Sequence, residues 1–252
     1  MDRLDAVFDS MQPIGRFIPG SDLAHDEMID LQREVASAAS FEDVGDVRPD
    51  EMTIAGIDQA FIDDETVVSG VVVWRDGDVL EERTGTAKTP IPYIPGLLAF
   101  RELAAVIEAL REVQTDVDVL LVDGNGRIHP RGAGLATHIG VVFDIPAVGV
   151  AKSLLCGDPV SSISGLDSGE QVPIVAEEGM SIDPGTVIGY AVQTRQFDHP
   201  DRHINPIYVS PGHRVSAVTA VHVVKAGNTG YKLPGPLRCA DTLATQVSKT
   251  EN

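Results

Sequence analysis

The chain has 252 residues, 43% of them hydrophobic, which is enough for one sizeable core. No apolar run is long enough to cross a bilayer, the opening MDRLDAVFDSMQ has no basic-then-apolar leader, and Cys156 and Cys239 fall in no metal-like spacing, so neither a membrane span, a secretory signal nor a cysteine metal site is expected, and the protein reads as cytoplasmic. Acidic residues outnumber basic ones 38 to 19, a net charge of −19 with only five lysines, which resembles a surface built for a high-salt cytoplasm and weakens a nucleic-acid role without excluding one basic strip.

Residues 1–20, with Pro13 and Pro19, read as an irregular arm, and 21–252 as a single catalytic domain. A helix is expected over 21–39, its first turn rich in acids as the helix dipole prefers. MTIAGIDQAF, TVVSGVVVWR and DVLEERTGTA read as three strands, the last two joined by Asp76-Gly77, a hairpin signal. TPIPYIPGLLAFRE follows, in which Pro90, Pro92 and Pro95 stiffen the backbone around Tyr93 before a helix over about 97–113. A strand is expected over 118–122, a helix over 133–143 and a strand over 146–151. After a turn-rich region come strands at 186–194 and 206–210 and helices near 214–225 and 238–248. Three antiparallel strands followed by alternating helices and strands give an α/β, ribonuclease-H-like fold. It has a mixed central sheet, helices on both faces, and the first and fourth strands adjacent.

That topology carries the chemistry. Asp58 sits within the apolar IAGIDQAF strand, and Asp123 ends DVLLVD just before Gly124-Asn125-Gly126. A carboxylate in a buried strand costs several kcal/mol unless paired, and two side by side repel, which a hard cation such as Mg²⁺ relieves. Glu102 falls opposite the Phe100–Leu103–Ile107 stripe of its helix, so periodicity alone leaves it on the solvated face, helped by the helix dipole if it lies in the first turn. His129 and Arg131 share the loop GNGRIHPRGAG. Lys152 follows the PAVGVA strand, and His213 with Arg214 follows PIYVS, so cations gather at strand ends where ligands bind in open sheets. His199 and His203 are four apart, but Pro200 forbids a helical zinc pair, and both read as loop residues.

The ordered set AGIDQAF, PYIPGLLAFRE, VDGNGRIHPRGAGLATHIG, GVAKSLL, GHRVS and YKLPGPLRCAD, over about residues 30–240, resembles endonuclease V, a family of deoxyinosine-directed repair nucleases. The resemblance implies Mg²⁺-dependent hydrolysis, with Mn²⁺ able to substitute, of the second phosphodiester bond 3′ to a deaminated purine in DNA, by a monomer. It implies Asp58, Asp123 and Glu102 as metal ligands and catalytic carboxylates, which moves Glu102 off the solvated face. It also implies His129, Lys152 and His213 beside the scissile phosphate. Tyr93 is implied as a wedge in the DNA, flanked by Pro92, Ile94 and Pro95, with Arg131 and Arg214 as further DNA contacts. A base pocket of Gly96, Leu98, Gly124, Gly126, Gly134, Leu135 and Leu155 completes the set, and Asn125 is the one central variation. Inosine-containing RNA as the substrate, or an inosine-binding module that does not cut, are the alternatives.

Overall fold

The computed structural model describes residues 11–20, 22–44, 51–89, 91–197 and 203–251. The first ten residues of the expected arm, Pro90 and His199 lie outside them. Strands β1 (Ile54–Phe61), β2 (Thr66–Arg75) and β3 (Asp78–Lys88) form an antiparallel meander. Helix α2 (Leu98–Arg111) crosses to β4 (Val119–Asp123), and α3 (Leu135–Phe143) crosses to β5 (Ala147–Ala151). The last strands are β6 (Asp158–Pro159), β7 (Gln171–Val175), β8 (Val187–Val192) and β9 (Ile207–His213), and α1 (His25–Ala38), α4 (Ala217–Ala226) and α5 (Gly235–Thr250) complete the described elements. All nine strands form one mixed sheet in the order β3-β2-β1-β4-β5-β9-β8-β7-β6, with β1, β4 and β5 parallel and β9 antiparallel to β5.

The sheet is buried on both faces because its central strands are continuous apolar runs. Ala55 and Ile57 of β1, with Leu120 and Val122 of β4, pack under Val35 of α1, Leu103 and Val106 of α2, and Ile139 of α3. Their alternate neighbours Ile54, Val119 and Leu121 pack under Val221 and Val224 of α4 and Leu237 of α5. Each fully buried Leu or Ile contributes roughly 1.5–3 kcal/mol to holding these layers together. Helices on both faces of a mixed sheet, with β1 beside β4, are the arrangement expected from the element order.

Three differences matter. The stretch read as turn-rich carries β6 and β7, a short hairpin extending the sheet beyond β8; a two-residue strand ending in proline leaves no periodic signal. Strand β9 runs to His213, three residues past its expected end. Residues 11–20 form one short 3₁₀ turn yet pack into the core: Met11 and Phe17 are buried, and the Ile14 N–H donates to the Val142 carbonyl at 2.6 Å.

Candidate active site

Parallel pairing of β1 with β4 is in register from Ile54↔Val119 to Ile57↔Val122, so the next residues, Asp58 and Asp123, come abreast at the strand ends. Strand neighbours lie about 4.8 Å apart, and side-chain alternation turns both aspartates to the face covered by α5. Gly70, paired with Asp58 across β1 and β2, lets α5 sit close: a Cβ there would stand 2.7 Å from the Ala240 carbonyl oxygen. Asp241, the next residue of α5, is thereby brought within electrostatic reach of Asp58 and Lys152.

Burial, then the charge of Asp123, pushes the Asp58 carboxyl up to about 8, against a hydrogen bond accepted from the Gln59 N–H at 2.7 Å. Glu102 is 6% exposed, and burial followed by the Asp58 charge pushes it up to about 8 as well. The solvated position expected from the helical wheel is therefore corrected. Helix α2 packs on β2, β3 and α3, so protein rather than water covers the Glu102 side of the helix. Glu102 is also the fifth helical residue, past the first turn, where the dipole effect has faded. Asp123 accepts from Lys152 Nζ at 2.6 Å. Burial pulls the lysine down, but the hydrogen bond and charge of Asp123, with Asp58 and Asp241 behind it, outweigh that and hold it above its ordinary value.

Asp58, Asp123 and Asp241 thus act on Lys152 at the carboxyl ends of β1, β4 and β5, while Glu102 of α2 feels Asp58 and Asp123 against the charge of Arg101. Among the described residues no three Asp, Glu, His or Cys side chains already converge as a finished metal cage, since Lys152 takes the Asp123 oxygen. The donor chemistry nevertheless fits a hard divalent cation: the donors are oxygens alone, and the Asp58 and Glu102 carboxyls stay raised by burial and neighbouring acids in spite of Lys152 and Arg101.

Beside these acids, on the α2–α3 face, lies a cavity of about 70 Å³ lined by Gly96, Leu98, Gly134, Leu135 and Leu155 of the expected pocket, with Tyr93 at its wall. Gln32, Ala99, Asn125 and His129 also line it. The Asn125 Oδ1 atom is buried with no hydrogen-bond partner, an acceptor left over at the cavity. Gly124 and Gly126 are not among the lining residues: Gly124 N–H donates to the Val150 carbonyl, and Gly126 N–H donates to Ser210 Oγ at 2.9 Å, so both fasten the loop to the sheet.

Tyr93 is 66% exposed, and Pro92 and Pro95 are exposed beside it. Ile94 instead anchors the ribbon, packing with Ile91 on Met28, Leu97 and Phe100. Behind the ribbon Gly96, at φ +79°, turns its carbonyl oxygen into three donors: Gln32 Nε2 at 2.8 Å, His129 Nε2 at 3.0 Å and an Arg131 terminal nitrogen at 3.0 Å. His129 accepts the Arg131 N–H on Nδ1, so Nε2 carries its proton, and burial pushes the ring down to about 4. A neutral His129 braces the tyrosine ribbon and brings no positive charge to a phosphate. Arg131 is turned inward too, its Nε donating to Gln32 Oε1 at 2.6 Å.

His213 and Arg214 are not brought to the acids. Antiparallel pairing sets His213 opposite Ala147, at the start of β5, whereas Asp123 pairs with Val150 near its end. Three residues of strand separate those levels, roughly 10 Å. There His213 Nε2 lies 3.0 Å from Asp144 Oδ1 and its Nδ1 accepts the Ser40 N–H, while Arg214 reaches Asp144 Oδ2 at 2.9 Å. Burial holds the His213 ring below its ordinary value, against the pull of Asp144.

Asp241 is the member that residue-by-residue reasoning missed. Its one sequence signal is position: it follows Ala240 in the buried Leu237–Ala240–Ala244 stripe of α5.

A family sequence model described as endonuclease V matches residues 30–242. An endonuclease V of Haloarcula marismortui is 50% identical over 93% of this chain and 96% of its own length. The crystal structure of endonuclease V from Streptomyces avermitilis superposes with a TM-score of 0.79 at 31% identity, covering 93% of this chain and 97% of that one. Endonuclease V of Ciona intestinalis, in complex with a 24mer DNA containing an inosine followed by a ribo-adenosine, superposes with a TM-score of 0.73 at 26% identity, over 90% and 98% of the two chains. The fold, the ordered motifs and these likenesses agree: the chain belongs to the endonuclease V family.

Proposed function

We propose that this chain is a Mg²⁺-dependent endonuclease that recognises deoxyinosine in DNA by taking the base out of the stack and hydrolyses the second phosphodiester bond on its 3′ side. The observation that carries the reading is Asp58 and Asp123 abreast at adjacent strand ends with Glu102 of α2 beside them, the Asp58 and Glu102 carboxyls held up at about 8 in spite of Lys152 and Arg101. Asp58 and Asp123, with Glu102, would hold Mg²⁺ or Mn²⁺, which supplies positive charge against the scissile phosphate. Glu102, ionised once a cation offsets the burial and the Asp58 charge that hold its carboxyl up, would orient the attacking water and take its proton. Lys152 leaves Asp123 for the phosphate and offsets charge developing on it. Tyr93 fills the gap left by the extruded base, a step that costs a few kcal/mol and less for a weakly paired base. The unpartnered Asn125 Oδ1 accepts the N1–H of hypoxanthine, a proton that adenine lacks, which gives the cavity a reason to prefer the deaminated base.

A second reading, cleavage of inosine-containing RNA, draws on the Ciona relative, whose bound strand carries a ribo-adenosine after the inosine. The acidic surface and the Haloarcula relative support a protein that works in the concentrated KCl of a halophile's cytoplasm. Matched DNA and RNA oligonucleotides with one inosine, incubated with Mg²⁺ across a KCl series, test all of this. The expected products are a 3′-hydroxyl and a 5′-phosphate at the second bond 3′ to the lesion, with turnover highest near molar KCl. Preferred cutting of RNA would move the substrate, and binding without nicking would remove the enzyme.

A further inference from the structure

A second concave site lies beside the lesion cavity, and Arg131 lies between the two. The cleft encloses about 280 Å³ between Ala36 at the end of α1, Phe41, Arg127, Arg131 and the segment carrying Ser181, Ile182, Asp183 and Thr186. Arg127 stacks on the Phe41 ring with its guanidinium carbon 4.3 Å from the ring centroid. Its Nε atom is buried and makes no hydrogen bond, and among the described residues no carboxylate pairs with its guanidinium. Among the described residues Arg131 and Arg101 also lack an acid partner but are met by carbonyl oxygens, whereas the Arg127 Nε is left without any acceptor and the cleft beside it is open to an anion. A buried arginine is normally met by a carboxylate or an external anion, and its planar fork matches phosphate oxygens.

The sequence supplies the rest. Arg127 lies on the loop that runs from Asp123 to the wall of the lesion cavity, four residues before Arg131, whose guanidinium bonds the Gly96 carbonyl at that cavity. Ser181 and Thr186 bring hydroxyls to the cleft, and the Ser181 N–H donates to the Pro130 carbonyl, which ties that segment to the same loop. Asp183, exposed at the rim, is the only acid among the described residues that line the cleft.

We infer that this cleft is a phosphate subsite, in which Arg127, held flat by Phe41 and flanked by Ser181 and Thr186, takes a backbone phosphate of the nucleic-acid strand outside the lesion. The inference rests on the nuclease reading above and extends it to the flanking strand. A backbone contact carries no base information, so it serves inosine-containing and ordinary strands alike. It answers how so acidic a protein holds a polyanion: locally, through a cation with which no carboxylate of the described residues pairs.

The test is binding of labelled duplexes, with and without inosine, to the full chain in EDTA over a series of KCl concentrations. Arg127→Gln should weaken both duplexes by about three- to tenfold and lower the slope of log affinity against log salt by about 0.9, with the preference for inosine unchanged. Arg127→Lys should keep the slope, and Asp183→Asn should tighten binding of both duplexes. Thermal melts of each variant show that the fold is intact. A wild-type slope in a folded Arg127→Gln protein overturns the inference and leaves the nuclease reading standing; no binding of either duplex by the parent chain overturns both. Inorganic phosphate that binds through Arg127 and is not displaced by duplex would make this a small-anion site and also overturn the inference.

Discussion

The two ends of the central strands use the same kinds of side chain to opposite effect. At one end a single carboxylate, Asp144, is shared between His213 and Arg214, and the charges are matched. At the other, Asp58, Asp123, Glu102 and Asp241 outnumber Lys152 and Arg101, and two of the carboxyls are pushed to about 8. A structural ion pair balances its charge within the fold; a site that must receive a cation and a phosphate leaves the balance open. The difference separates scaffold from chemistry more sharply than residue type does.

The comparison breaks most readily at Asp123. Asp123→Ala should lower the rate of cleavage by about 10³-fold or more, ~4 kcal/mol of transition-state stabilisation, with lesion binding still measurable. His213→Ala, at the balanced end, should leave the cutting rate within about threefold. Single-turnover nicking of both variants checks the pair, and equal losses would erase the distinction drawn between the two ends.

Titration sharpens the contrast. Burial holds His129 and His138 down to about 4, so as pH falls from 6.5 the unfolded chain takes up protons that the folded chain refuses. Their contribution is intact above pH 6.5 and is lost between there and about pH 4, up to roughly 3 kcal/mol for each ring. Asp58 and Glu102 act in the opposite sense: the folded chain keeps their protons up to about 8 while the unfolded chain gives them up near 4, so stability drains as pH rises. Asp58→Asn should therefore stabilise the metal-free protein by roughly 2 kcal/mol at pH 8 while stopping cleavage, with no gain near pH 4. Melting temperatures in EDTA across that range measure the gap, and a gap that stays flat would remove the repulsion argument.

The smaller effects lie at the cavity. Tyr93→Ala should reduce discrimination between inosine and normal DNA about tenfold, ~1.4 kcal/mol, with less change in the maximal rate. Loss of rate without loss of discrimination would make the tyrosine part of the chemistry instead.

How far this was legible in the sequence follows from geometry. Asp58 and Asp123 were readable because acids at the ends of adjacent parallel strands must converge. Glu102 was placed by the family resemblance and not by periodicity, since a helical wheel carries no information about what packs over the early turns of α2. Asp241 depends on α5 packing close over Gly70, a contact between residues far apart in sequence. His213 and Arg214 were misplaced because the carboxyl end of a strand marks the ligand edge only when that strand runs parallel to its neighbours, and β9 runs antiparallel to β5. Arg131 and His129 have the residue types of a phosphate site, yet the Gly96 carbonyl claims both. The meander, the crossovers and both apolar faces were plain from periodicity, whereas β6 was too short to show any.

The central claim is that the acids at positions 58, 102 and 123 leave a negative charge that a divalent cation relieves. Thermal unfolding at pH 8 with Mg²⁺ against EDTA, for the parent chain and for Asp58→Asn, tests it most directly. The account predicts a saturable rise in melting temperature with Mg²⁺ for the parent and little or none for the variant. An equal response in both proteins, or none in the parent, would contradict it.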